Sequence, residues 1–208
     1  MTKFLPLGLA AVATALLVLA TAPAPAAQWT GAIQRQGAAP TTLDDLSHAR
    51  WIADGRDDAP RKVYVFMDAN CRYCTKFWSD ARPWVDSGKV QLRHIMVAVI
   101  APSSAGKAAA LLADADPARR LGSFERAHAF GVVRMMAGGP RHALEDPNLQ
   151  PLQPIPAEIG RTLDRHESLM RSLGLQGTPG MAFSGPDGRL VTRPGLASDE
   201  LPTVLGAL

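Results

Sequence analysis

The sequence predicts an α/β fold in which a β-α-β unit is followed by a long helical segment and a β hairpin. The run Val63 to Met67 is β-branched and aromatic, and a helical pattern and a second apolar run beginning at Val90 follow it. Residues 102 to about 173 carry helical periodicity, interrupted by two loops rich in glycine or proline. Two short strand-like runs then flank Gly185-Pro186-Asp187-Gly188, which is a strong hairpin signal.

The composition is that of an ordinary globular protein. The chain has 208 residues, 47% of them hydrophobic and 20% charged, which is enough to bury one substantial core. The formal net charge is only +3, and the basic residues are scattered rather than clustered. We therefore expect no nucleic-acid partner.

The N-terminus predicts export. Lys3 precedes a largely apolar stretch from Phe4 to Ala20, and Ala24-Pro25-Ala26 offers an A-x-A cleavage site. We assign residues 1–27 to a signal peptide. The alternative is an uncleaved membrane anchor, but a proline and a glycine interrupt a stretch that is already short for a spanning helix.

Residues 28–60 are expected to form a lead-in and a linker helix. Thr42 and Asp45 have the spacing of a helix cap. The apolar residues of this segment fall roughly on one helical face; they are Leu43, Leu46, Ala49 and Ile52. The helix is expected to stop at Asp54-Gly55. The sequence therefore predicts a single helix across this region.

Residues 61–208 are expected to form one catalytic domain. Its second strand, Val90 to Ile100, ends in the continuous apolar run typical of a strand buried on both faces. The crossover through the intervening helix should make the two strands parallel, and Pro83 should kink that helix. A helical insertion is predicted at about 102–173, and a C-terminal helix begins near Ser198. The insertion's helices are expected at Ser104 to Ala113, Pro117 to about Ala137 and Pro156 to Leu173.

The chain contains two cysteines, Cys71 and Cys74, and they open the helix of the β-α-β unit. An exported protein of this size does not need one short disulfide for stability, so the pair is expected to be reactive. Cys71 falls at the helix start, where unpaired N–H groups favour a thiolate, and Cys74 lies on the same face. We assign Cys71 as the nucleophile and Cys74 as the resolving thiol.

The two residues between the cysteines are candidates for substrate binding. Arg72 would stabilise a neighbouring thiolate, and Tyr73 would offer substrates an aromatic rim, although both also fit ordinary exposed positions. The cysteine pair could also bind a metal or form a purely structural disulfide. A metal site needs further ligands, and the five histidines form no matching ligand pair; they are His48, His94, His128, His142 and His166. A purely structural disulfide closing so short a loop would remove little unfolded-state entropy.

Thr178-Pro179 forms the second candidate substrate-binding element. It lies just before the predicted strand at Met181. In thioredoxin-like folds a cis proline opens the strand that faces the C-x-x-C pair, and its preceding residue offers backbone hydrogen bonds to a substrate peptide. A trans turn is the alternative.

The sequence resembles the DsbG/DsbC family of periplasmic disulfide isomerases and reductases. The resemblance covers roughly residues 43–208, and the segment Ala81 to Arg93 is specific to the family. The other matching segments are Trp51 to Gly55, Val63 to Asp68, Cys71 to Cys74, Phe77-Trp78 and Thr178-Pro179. It implies a thioredoxin-like fold with a helical insertion, a periplasmic location, and no cofactor.

The resemblance also implies partners. Substrates would be exported proteins with disulfides or oxidised thiols, and a membrane thiol reductase would supply electrons. The family has an N-terminal dimerisation domain before the linker helix, whereas only residues 28–40 precede that helix here, which argues against the family homodimer. A DsbA-like oxidase is the alternative function, and a non-catalytic holdase or metallochaperone is an alternative from another class.

Overall fold

The computed structural model describes residues 41–195 and 197–208. The predicted signal peptide, residues 1–27, and the predicted lead-in up to residue 40 lie outside this described part. In the ranges that are described, no helix has both the length and the apolar character needed to cross a bilayer.

A mixed sheet of five strands forms the centre of the described chain. The strands are β1 (Ile52–Asp54), β2 (Arg61–Met67), β3 (Val90–Met96), β4 (Gly180–Ser184) and β5 (Leu190–Pro194). Their order across the sheet is β1-β3-β2-β4-β5. β2 and β3 are parallel, as the crossover argument predicts, and the other neighbouring pairs are antiparallel. The predicted hairpin is confirmed as β4 and β5.

Helices cover both faces of this sheet. They are α1 (Leu43–Ser47), α2 (Arg72–Asp80), α3 (Arg82–Asp86), α4 (Ser104–Ala113), α5 (Pro117–Met136), α6 (Ala157–Ser172), a 3₁₀ turn (Ser198–Glu200) and α7 (Leu201–Leu205). Ala81 separates α2 from α3, and Pro83 lies in the first turn of α3, where a missing N–H costs nothing. The helices α4, α5 and α6 lie between β3 and β4, at the positions that their periodicity predicts.

The prediction of one helix from Thr42 to Asp54 is wrong. The Thr42 cap forms as expected, but α1 ends at Ser47 and the chain becomes strand β1. Ile52 pairs with His94 of β3, which gives the otherwise open edge of β3 backbone partners. The backbone hydrogen bonds to β3 therefore stabilise a strand at residues 52–54 more than the approximate helical spacing of four apolar residues stabilises a helix.

The predicted extent of the second strand is also too long. β3 ends at Met96, and although Val97 is buried, Val99 and Ile100 have 42% and 52% of their surface exposed. The backbone N–H groups of Val99 and Ile100 donate to the carboxylate of Asp68 at 2.8 and 3.0 Å rather than to a neighbouring strand. A buried acid thus ends the strand, which the apolar run did not reveal.

The central strand β2 is buried on both faces, and its side chains alternate between two cores. Val63 and Val65 pack with side chains of α2, α3 and α7. Tyr64 and Phe66 pack with side chains of α1 and α6 on the opposite face. The end of β2 is therefore rigidly placed, and the two cysteines follow directly after it.

Candidate active site

Cys71 caps the N-terminus of α2. Its backbone is extended, and its sulfur accepts a hydrogen bond from the N–H of Cys74 at 3.2 Å. This bond satisfies one of the backbone donors left free at a helix start, where the helix dipole also favours negative charge. Cys71 is 4% exposed and Cys74 is 1% exposed, and both are free thiols. The local sequence therefore builds a site suited to a thiolate.

The segment Thr178-Pro179 lies opposite Cys71. The peptide bond between these residues is cis, and the Cys71 thiol donates to the Thr178 carbonyl oxygen at 3.2 Å. The antiparallel pairing of β4 with β2, which sets Gly180 against Phe66, brings the two segments together. Residues that are 107 positions apart in the chain therefore face each other.

The two thiols have opposite acid strengths. A hydrogen bond from the Cys74 thiol lowers the pKa of Cys71, and contacts with Thr178 and with backbone N–H groups lower it further. These effects outweigh burial, which acts in the opposite direction, and bring the pKa of Cys71 to about 7. Burial raises the pKa of Cys74 well above its ordinary value, and the neighbouring Cys71 charge raises it further. Cys71 is thus the thiol that ionises near neutral pH.

The hydroxyl of Thr178 has no hydrogen-bond partner among the described residues, although it is buried. It contributes to the lowered pKa of Cys71. A buried hydroxyl without a partner costs free energy, and this cost is recovered if the hydroxyl donates a hydrogen bond in another protonation state of the site. A Cys71 thiolate would be an acceptor for it.

A buried carboxylate holds the loop beneath Cys71. Asp68 is 1% exposed, and its carboxylate accepts four hydrogen bonds, from the backbone of Asn70, Val99 and Ile100 and from the Ser104 hydroxyl. Its backbone carbonyl accepts from the N–H of Cys71 at 2.9 Å. Sequence reasoning did not single out this residue, although an acid directly after a buried strand was a usable signal.

Glu125 of α5 is a second buried acid that sequence reasoning missed. It is 1% exposed, and its Oε2 atom has no hydrogen-bond partner in the described part of the chain. Burial raises its pKa to about 8, partly offset by the hydroxyl of Thr75, while the nearby charge of Cys71 raises it too. A neutral carboxylic acid therefore lies close to the thiol pair at neutral pH, a pattern common at functional sites.

An apolar groove of about 590 Å³ adjoins the cysteines. Its lining includes Tyr73, Phe77, Met136, Thr178 and Pro179. Tyr73 has 70% of its surface exposed, so its ring forms a rim rather than part of the core. Three of the four predicted substrate-binding residues, namely Tyr73, Thr178 and Pro179, therefore share one groove.

Arg72 lies elsewhere. It is half-buried and lines a separate cavity with Arg141, so the structure does not bring it together with the other three residues. No group of three or more histidine, cysteine or acidic side chains within 41–195 and 197–208 is arranged to hold a metal ion.

Comparison with known proteins found no matching protein-family model. The chain is 43% identical over 162 residues to the thiol:disulfide interchange protein DsbG of Pseudomonas aeruginosa, covering 77% of this chain and 57% of that protein. It is 37% identical over 160 residues to the protein of the same name from Escherichia coli, covering 77% and 58%. The chain thus spans somewhat more than half the length of these relatives.

Solved structures share the fold at low sequence identity. A crystal structure of Proteus mirabilis ScsC in a transitional conformation matches with a TM-score of 0.55 and 22% identity, over 74% of this chain and 70% of that one. A periplasmic thioredoxin-like protein from Salmonella enterica serovar Typhimurium matches with a TM-score of 0.53 and 17% identity, over 74% and 87%. The fold is therefore thioredoxin-like, as the sequence predicted.

Proposed function

We propose that this chain is a DsbG-like periplasmic thiol-disulfide oxidoreductase that acts as an isomerase or reductase, because it is 43% and 37% identical to two DsbG proteins over 57% and 58% of their length. One observation supports this function above the others. Cys71 contacts Thr178, which lines the groove, and it ionises near pH 7, whereas Cys74 is buried and stays protonated. Such an asymmetric pair suits one attacking thiol and one resolving thiol.

The first step joins the enzyme to its substrate. The Cys71 thiolate attacks one sulfur of a substrate disulfide, and a mixed disulfide forms as the substrate S–S bond breaks. The other substrate sulfur leaves with the electron pair and takes up a proton. The groove containing Tyr73 and Pro179 would hold the substrate chain, and the Thr178 carbonyl, freed from the Cys71 thiol, can accept from a substrate N–H.

The second step releases the substrate in one of two ways. In isomerisation, another substrate thiolate attacks the mixed disulfide and returns the Cys71 thiolate. In reduction, Cys74 loses its proton and attacks Cys71, so the substrate leaves as a dithiol and the enzyme becomes a disulfide. The proton that Cys74 loses goes to the departing substrate thiolate, because the neighbouring Glu125 carboxyl is already protonated at neutral pH.

The substrates we propose are exported proteins that carry disulfides or oxidised thiols. The reductive route leaves a Cys71–Cys74 disulfide, so a membrane thiol reductase is the proposed electron donor. An N-terminal signal peptide is the proposed route of export.

The test is a trapping experiment on the purified protein. Cys74→Ser should accumulate mixed disulfides with a scrambled disulfide substrate, because release by the resolving thiol is lost. Cys71→Ser should form none and should lose all turnover. The redox equilibrium of the unmodified pair with glutathione should show one reversible intramolecular disulfide; two independent or inert thiols would refute the proposal.

A further inference from the structure

A second cavity, of about 500 Å³, borders the backbone on either side of Cys71. Asn70 and Arg72, the two chain neighbours of Cys71, line it together with Ser103, Arg141 and Glu145. We call it the arginine cleft. It is more polar than the groove at Pro179, and the mechanism above leaves it unused.

Neither guanidinium group of the cleft has an acceptor among the described side chains, and Arg141 is exposed to solvent. Neither Arg72 nor Arg141 forms an ion pair within residues 41–195 and 197–208. The Nε atom of Arg72 is buried and lacks a hydrogen-bond partner. A guanidinium N–H that is withdrawn from water without an acceptor is costly, and an anion bound in the cleft would satisfy the Nε–H of Arg72.

The side chains that line the cleft carry a net positive charge. Glu145 is the one acidic side chain in the lining, and it is exposed. Behind the wall, the ammonium of Lys107 donates to Asn70 and to the Leu144 carbonyl at 2.8 and 2.7 Å, and the carboxylates of Glu145, Asp68 and Asp146 act on its charge. The lining therefore keeps an excess of one positive charge, beside the N-terminus of the nine-residue helix α2.

We propose that the arginine cleft binds a carboxylate that lies close to the reacting cysteine of the substrate. This inference rests on the proposed function, since it requires a substrate sulfur at Cys71. Carboxylates match the planar donor fork of arginine. An extended chain advances about 3.3 Å per residue, so an acidic residue within about three positions of the substrate cysteine reaches the cleft. Substrates with acidic residues beside the target cysteine are therefore preferred.

Matched peptides test this preference. Each carries a single cysteine as a 2-thiopyridyl disulfide and has either Glu or Gln on both sides of it. The Cys71 thiolate attacks the peptide sulfur, the peptide–thiopyridyl S–S bond breaks, and neutral 2-thiopyridone is released after protonation, which an absorbance change reports. Cys74→Ser is the background, so that each reaction stops at the mixed disulfide.

We expect the Glu peptide to react about fivefold faster than the Gln peptide at low ionic strength, with the ratio falling towards one in high salt. Arg141→Gln should remove the preference and leave the rate of the Gln peptide unchanged. Arg189→Gln, in the hairpin turn, makes the same change in net charge and should keep the preference. Arg141→Glu should instead favour a peptide with Lys at these positions.

A preference for Glu that survives Arg141→Gln would overturn the inference, and so would equal rates for the Glu and Gln peptides together with equal rates for oxidised glutathione and its ester. Oxidised glutathione and its ester, in which the carboxylates are masked, provide a second arm. An Arg141-dependent preference confined to glutathione would support the carboxylate site and identify the small thiol as its source. If neither peptide released thiopyridone, the proposed function itself would fail, so the two failures are distinct.

Discussion

Cys71 and Cys74 are the same chemical group three residues apart, and their surroundings separate their acid strengths. Cys71 is a helix cap with donors around its sulfur, whereas Cys74 points into the core. At pH 7 about half of Cys71 is thiolate, given its pKa of about 7, and Cys74 is a thiol. Reactivity at this site is therefore decided by individual hydrogen bonds.

Replacing the Thr178 hydroxyl tests one of these bonds. Thr178→Val keeps the shape of the side chain but removes the buried hydroxyl, so the pKa of Cys71 should rise and its alkylation should need higher pH. The measurement is the pH profile of the iodoacetamide rate in Cys74→Ser. Thr192→Val, in β5, is the control and should leave the profile where it is. An unchanged profile in Thr178→Val would exclude this role.

Glu125 should make stability depend on pH. Its folded pKa, about 8, lies above its ordinary value of 4.5. The folded state therefore holds the proton more tightly, and its contribution to stability is full below about pH 4.5 and is lost as the pH rises to 8. Glu125→Gln remains neutral throughout, so it should be more stable than the wild type at pH 8 by several kcal/mol, as an order of magnitude.

Urea unfolding at pH 5 and at pH 8 measures this difference. The exposed Glu158→Gln serves as the control and should follow the wild type at both pH values. Equal stability of wild type and Glu125→Gln at pH 8 would contradict the buried, uncharged state.

At the scale of elements, one polar contact connects β1, α3 and β3. The guanidinium of Arg82 binds both carboxylate oxygens of Asp54, at 3.0 and 2.5 Å, and His94 lies 3.3 Å from the same carboxylate. The guanidinium also stacks over the Trp78 ring at 4.0 Å. Strand β1 has only three residues and forms few backbone hydrogen bonds, so this side-chain contact helps to hold it against the sheet.

Asp54→Asn should therefore destabilise the fold by about 2 kcal/mol, because a charge-assisted, largely buried hydrogen bond is lost. Burial alone would raise the pKa of Asp54, but bonds and charges from His94 and Arg82 hold it well below its ordinary value. A lowered pKa stabilises the fold above pH 4, and this contribution is lost as the pH falls. Chemical unfolding at pH 7 and pH 3 should show a difference between wild type and Asp54→Asn at pH 7 that shrinks at pH 3.

The exposed pair of Asp58 with Arg56 supplies the comparison. Asp58→Asn should change stability little at either pH, because water screens the pair. A large effect of Asp58→Asn together with none of Asp54→Asn would show that the contact at β1 does not stabilise the fold.

At the scale of the whole molecule, the oxidation state of the pair should change global stability. The reduced form gains from the thiolate-stabilising contacts of Cys71, and these contacts are lost when Cys71 and Cys74 form a disulfide. Stabilisation of the reduced form makes a pair more oxidising. We expect the reduced protein to unfold at a higher temperature than the oxidised protein at pH 7.

Calorimetry of both forms measures this order directly. The difference should be largest above pH 9, the ordinary pKa of the thiol, and should shrink as the pH falls through 7 to 5, where Cys71 is protonated in the folded reduced form as well. Cys71→Ser should show no dependence on oxidants. A more stable oxidised form at pH 7 would contradict the argument and would indicate a reducing pair.

The sequence alone determined the features that depend on local chain chemistry. The β-α-β unit, the position of both cysteines at a helix start, the hairpin and the helices between β3 and β4 all follow from periodicity, caps and turn residues, which act over a few neighbouring positions. The family resemblance added the thioredoxin-like fold and pointed to Thr178-Pro179.

Only the tertiary structure decided the features that depend on contacts between distant segments. Edge pairing with β3 turned residues 52–54 from predicted helix into strand, and packing buried Glu125 behind the thiols. Folding placed Arg141 in one cleft with Arg72, 69 positions earlier in the numbering. Burial and through-space charge set the protonation of a group, and neither is a property of its sequence neighbours.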